Sequence, residues 1–174
     1  MVGKIYYSEI LGYMMNLWLQ EDWKNYFYEK DNIRWGIYLR INKEVNDDVR
    51  KSLKKFAIWL RNNFEFPIRL PIYVKPTKYI KTRYNDYVVG SFFEPENYFT
   101  EPYIKLSTGD YVELLNSIGK DNALASILCT LIHEITHYYQ WINRVDMSID
   151  DREKEAEYYG DYILEKYAEC VDSP

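Results

Sequence analysis

Both histidines of this 174-residue chain fall in one stretch, Asp121 to Asn143, four residues apart and with a glutamate directly after the first: His133-Glu134-Ile135-Thr136-His137. No other feature restricts the fold as tightly. If the stretch is an α-helix, positions i and i+4 lie on one face about a turn apart, and both imidazoles can reach one metal ion. At about 100° per residue, Ser126, Cys129, Thr130, His137, Gln140 and Arg144 share the face of His133. Leu124, Leu128, Leu131, Ile135, Tyr139 and Ile142 lie on the opposite face. One stripe therefore belongs to a core, and the histidines stand in the middle of the other. The plain alternative, two surface histidines with Glu134 between them by coincidence, has to place both histidines of the chain at ligand spacing by chance.

Two neutral imidazoles suit Zn²⁺, and Glu134 projects to their flank, where a carboxylate can take a proton from a water acidified by the metal. This is the H-E-x-x-H arrangement of zinc hydrolases. A catalytic zinc needs a third protein ligand, and the chain has no third histidine. Positions 140 and 143 are Gln and Asn, which excludes the three-histidine metzincin motif. A carboxylate must complete the site, and Glu153, Glu155 and Glu157 are all in reach, because Asn143 to Arg152 is long enough to reverse direction. On a helix Glu153 and Glu157 share a side, with Glu155 about 160–200° away and expected to face elsewhere, at the surface.

The run Glu153-Lys-Glu-Ala156-Glu157-Tyr-Tyr159-Gly160 resembles the E-x-x-A-[ND]-x-F-A signature that follows H-E-x-x-H in the ImmA/IrrE-like branch of gluzincin metallopeptidases. The resemblance covers roughly residues 103 to 165; SprT-like peptidases are a more distant second, since they usually add a histidine ligand that is missing here. It implies zinc bound by His133, His137 and Glu153, and Glu134 as the catalytic base. It also implies that Ala156 packs on the active helix and that Glu157 is an acid supporting a ligand imidazole. The implied activity is a zinc-dependent metallopeptidase acting on a cytoplasmic protein or peptide, in this branch often a transcriptional repressor. Oxyanion stabilisation in such enzymes often comes from a tyrosine or histidine outside the motif, here for example Tyr158 or Tyr162. The strand expected at Tyr103 to Ser107 would align an extended peptide by strand addition. Two other readings stand beside this one: a zinc-containing regulatory or protein-binding module that cuts nothing, and hydrolysis of a non-peptide amide.

Composition limits the setting. Cys129 and Cys170 make no disulfide framework and no zinc knuckle, and read as reduced thiols of a cytoplasmic protein, Cys129 as a buried, inert one. No signal peptide or membrane span is evident. A net charge of −5 gives no general attraction for nucleic acid, arguing against it as a direct substrate. The charge is uneven: Ile33 to Arg83 holds 13 basic and 4 acidic residues, Val145 to Pro174 3 basic and 10 acidic. Solvated faces account for that, the alternative being a basic surface for an acidic or DNA-bound partner.

In chain order, Lys4 to Gln20 reads as an amphipathic helix that Glu21 to Lys30 extends or follows with another. Ile33 to Ile41 alternates as a strand. A helix opened by Asp47 and Asp48 follows, with Val49, Leu53, Phe56, Ala57, Leu60 and Phe64 as its buried stripe. Ile68 to Val74 alternates between prolines and reads as an edge strand. Tyr79 to Phe93 reads as a hairpin turning at Asn85-Asp86. A loop from Glu94 to Pro102, the strand Tyr103 to Ser107, a brief helix stopped by Gly119, the histidine helix and a final helix from Asp151 to Val171 complete the chain. With no linker or repeat, residues 1–174 are expected to form one α+β domain. By resemblance it is zincin-like: a small mixed or antiparallel sheet on a backing helix and an active-site helix, with the C-terminal helix supplying the third ligand.

Overall fold

The computed structural model describes residues 17–26, 35–82 and 85–171. The strand β1 (Ile37–Ile41) runs into helix α1 (Asp47–Asn63), whose first turn is closed by the Asn46 side chain accepting from the Asp48 N–H at 2.8 Å. Asp47 and Asp48 sit where the helix dipole favours them. The expected stripe is buried from Val49 to Leu60, with Phe64 half-buried just beyond the helix end. Crossing over through α1, the chain returns as β2 (Leu70–Lys75), parallel to β1 with Ile37 opposite Leu70.

β2 is not an edge strand. It lies between β1 and β6 (Tyr103–Ser107), parallel to both, and β5 (Gly90–Phe93) stands beyond β6, in the order β1-β2-β6-β5. Pro71 is tolerated there because of where its missing N–H would point. The neighbouring Leu70 N–H donates toward β1, to Gly36 O, so position 71 faces β6, whose pairing begins only at Ile72 opposite Ile104. The hairpin is shorter than expected: β3 (Ile80–Lys81) pairs with β4 (Tyr87–Val88) across a turn that places Asn85 at φ 67°. The chain then leaves the hairpin, and β5 (Gly90–Phe93) joins the main sheet antiparallel to β6. β5 and β1 are therefore the edges, while Tyr103 to Ser107, expected to offer its backbone to a peptide, is interior and already paired on both sides.

Helix α2 (Tyr111–Ile118) ends at Gly119, at φ 83°, and α3 (Lys120–Ile142) follows directly. α3 closes with a Schellman motif: Arg144 takes the left-handed conformation at φ 51°, its N–H donates to Trp141 O, and the Val145 N–H donates to Gln140 O. That tight reversal sends the chain back beside α3 as α4 (Ile149–Ala168), capped by Ser148 accepting from the Asp151 N–H at 3.1 Å.

The core sits where the sheet and α1 meet α3. Tyr138 of α3 is fully buried, its hydroxyl accepting from the Ile68 N–H at 3.0 Å and donating to Ile68 O at 2.7 Å. Trp18 stacks between Tyr139 and Tyr159 and donates its indole N–H to Thr136 at 3.1 Å, while Tyr159 OH accepts from the Leu17 N–H. The segment around it thus seals the seam between α3 and α4. Of the helices expected across Lys4 to Lys30, the described part holds only the 3₁₀ turns Leu17–Leu19 and Asp22–Asn25, and the remainder lies outside the described residues. Of the alternation expected from Ile33, residues 33 and 34 lie outside the described residues; among the rest the strand begins at Ile37, and Trp35 is 62% exposed. Among the described residues no helix is long and apolar enough to cross a membrane. The mixed sheet with its helices is an α+β architecture.

Candidate metal centre

α3 carries its apolar face into the core and leaves the face of His133 and His137 toward α4 and the β5 edge. One helical turn apart, the two imidazoles stand with ring centroids 4.8 Å apart at 80° and their Nε2 atoms 3.1 Å apart. Glu153, in the first turns of α4, aims its carboxylate at the same point, with Oε2 3.2 Å from His133 Nε2 and Oε1 3.3 Å from His137 Nε2. Among the described residues these three form the group able to hold a metal, their donor atoms all within 4.8 Å of one another. The donor set passes a geometric test for zinc. Tetrahedral ligands at about 2.0–2.2 Å from a common ion stand roughly 3.3–3.6 Å apart; here the two Nε2 atoms are 3.1 Å apart, and each faces its own Glu153 oxygen at 3.2 and 3.3 Å. Burial holds the His137 imidazolium below its ordinary pKa, keeping the ring neutral as a ligand must be.

Glu134 lies to the side of this group, only 8% exposed. Burial pushes its carboxyl up to about 8, opposed by the Phe92 backbone N–H and assisted by the charge of Glu153. Space for it comes from β5: a Cβ on Gly90 would lie 2.7 Å from Glu134 Oε1 and 2.8 Å from Thr130 Cγ2. Two hollows meet over Glu134 and His133. One of about 430 Å³ also touches His137, Glu153, Arg152 and Ile149. The other, about 770 Å³, runs along the hairpin tyrosines Tyr79 and Tyr87 over a floor that includes Cys129, Ala156 and Gly160.

The remaining expectations divide. Ala156 is fully buried against α3, and Gly160 admits Cys129, whose Sγ would stand 2.8 Å from a Cβ there. That thiol is half-buried, pushed up by burial and by the charge of Asp161, and takes no part in the donor group. Tyr158 and Tyr162 stack on each other and pack against the core, and neither lines a hollow over the histidines. Glu157 is exposed and bonds neither imidazole, so the supporting role expected of it falls elsewhere.

That support comes from Gln140, 1% exposed, whose Oε1 lies 2.8 Å from His137 Nδ1. Its Nε2 donates to Arg152 O at 3.0 Å and to Glu155 Oε2 at 2.9 Å, and Arg152 Nε donates to its Oε1 at 3.2 Å. Glu155 does point away from Glu153, as the helix phase requires, but not to solvent: it is 0% exposed. α4 starts beside the last turns of α3, so side chains from both flanks of its first turns meet that helix. Arg152 is held in turn by Glu94 at 2.6 Å. Gln140 shares the face of His133 in any helical projection, which was the available signal. Nothing local marked Arg152 or Gly90, and Glu155 was in view only as one of three carboxylates in reach of the histidines.

No family model, curated protein or solved structure matches the chain.

Proposed function

We propose that the protein is a zinc-dependent metallopeptidase of zincin-like, gluzincin type. The observation that carries this is the convergence of His133 Nε2, His137 Nε2 and the Glu153 carboxylate at 3.1–3.3 Å beside a buried fourth group, Glu134. His133, His137 and Glu153 would hold the ion. Once bound, zinc supplies a Lewis acid that polarises a carbonyl and brings the pKa of water toward neutrality. Glu134 then accepts the proton of the attacking water and returns it to the leaving amine, a general acid–base role that typically contributes on the order of 10²–10⁴-fold. A purely structural zinc has no use for such a base and favours four protein ligands, where three are assembled among the described residues.

The substrate is a protein or peptide, laid along β5. Ser107 N–H donates to Val89 O, so Gly90 and Phe92 direct their backbone groups away from β6, toward the cleft, where the Phe92 N–H is held by Glu134. Strand addition at this edge places an extended chain across Glu134, the task that the sequence alone assigned to Tyr103 to Ser107. A cytoplasmic repressor substrate rests on the motif resemblance alone.

Metal analysis of the purified chain with a proteomic cleavage screen tests the reading. One zinc per chain, lost in His133→Ala and in His137→Ala, and cleavage lost in Glu134→Gln, are expected. A full equivalent of zinc on either histidine variant would overturn the ligand assignment.

A further inference from the structure

We infer that Gln140 is a positioning residue that sets the tautomer of His137 before any metal arrives. The inference deepens the metallopeptidase reading by explaining how one ligand is prepared, and its test is arranged so that either can fail alone.

Arg152 presents Gln140 with one group that can only accept and one that can only donate. The Arg152 carbonyl lies 3.0 Å from one end of the Gln140 amide, and the Arg152 Nε–H 3.2 Å from the other. A flipped amide would set oxygen against the carbonyl and NH₂ against the guanidinium, losing both bonds at a side chain only 1% exposed. The orientation is therefore decided whatever the protonation of Glu155, whose Oε2 adds a further acceptor at the NH₂ end, 2.9 Å away. Gln140 spends both donors and both lone pairs within this cluster.

With Oε1 fixed toward His137, the ring nitrogen 2.8 Å away must be the donor. His137 accordingly carries its proton on Nδ1, leaving the Nε2 lone pair directed at His133 Nε2 and Glu153 Oε1, 3.1 and 3.3 Å away. Free imidazole side chains favour the opposite tautomer, so the preference is imposed by the fold. Carboxylates and backbone carbonyls commonly hold a ligand histidine in this way. Here a neutral amide does so, itself braced by a buried carboxyl two residues after Glu153.

The chain's two histidines make the test direct. In metal-free, ¹⁵N-histidine protein in mildly alkaline buffer, long-range ¹H–¹⁵N correlations distinguish protonated from unprotonated ring nitrogens, and His133→Ala assigns the two patterns. The parent should show His137 as the Nδ1–H form. Gln140→Leu should shift it toward Nε2–H and weaken zinc binding roughly 10–100-fold. Gln140→Glu combined with Glu155→Gln, which restores an acceptor at 140 and a donor at 155, should recover the Nδ1–H form, with the affinity regained only in part because a carboxylate oxygen then faces the Arg152 carbonyl. A packing role for Gln140 predicts the reverse, with Leu tolerated and the tautomer unmoved. Finding Nε2–H in the parent overturns the inference even if Gln140→Leu does not fold. Should the parent show Nδ1–H yet bind no zinc, the metal reading fails and the positioning role stands.

Discussion

Replacing Glu134 by glutamine should change the pH dependence of folding in the metal-free protein, by an amount the structure sets. The carboxyl is 8% exposed and its pKa is pushed from 4.5 to about 8, first by burial. Between those values the folded protein binds a proton that the unfolded chain releases, so stability falls as pH rises through this window. At about 1.4 kcal/mol per unit of pH where the difference is a full proton, the loss from pH 5 to pH 8 is about 3 kcal/mol. The glutamine side chain keeps nearly the same shape and an oxygen for the Phe92 N–H but has no proton to release. Urea unfolding with chelator at pH 5, 6.5 and 8 measures the gap between parent and variant, in which the other titrating groups cancel. The variant should gain about 3 kcal/mol on the parent across that range, all of it toward alkaline pH. A gap that stays level within about 0.5 kcal/mol would show that burial does not hold Glu134 protonated, and the account of its environment would fail. Bound zinc sets positive charge beside the carboxylate and should flatten the parent's curve toward that of the variant.

Glu153→Ala should remove zinc outright, while Glu157→Ala, at an exposed position touching neither imidazole, should leave metal content unchanged and stability within about 0.5 kcal/mol; metal analysis and urea unfolding decide both. Gly90→Ala forces a methyl to 2.7 Å from Glu134 Oε1, so hydrolysis should fall and stability drop by about 1–3 kcal/mol while zinc stays at one equivalent. Tyr138→Phe strips the buried Ile68 N–H and C=O of their shared hydroxyl, and calorimetry should register a loss of about 1–3 kcal/mol with metal binding intact.

What could be read from the chain was whatever depends on neighbours in sequence. His133 and His137 share a helix face because four residues make about one turn, and Glu153 lies opposite Glu155 for the same reason. The helix start at Asp47 and Asp48, the stop at Gly119, the stripe from Val49 to Leu60 and the turn at Asn85 are equally local. Periodicity says which side a residue faces; it does not say what stands on that side. Glu155 was placed correctly in angle and wrongly in surroundings, because only the packing of α4 on α3 puts Gln140 where solvent was expected. Strand order failed likewise: alternation made an edge strand of Ile68 to Val74 and Tyr103 to Ser107 was read as another strand, but pairing across some thirty residues made Leu70–Lys75 and Tyr103–Ser107 interior and gave the open edge to Gly90–Phe93. Helical phase thus paired the two histidines, whereas the meeting of Glu153 with them and the groups that brace the site, Gln140 with Arg152 and Glu155, and Gly90 beside Glu134, were settled by long-range packing that no local pattern encodes.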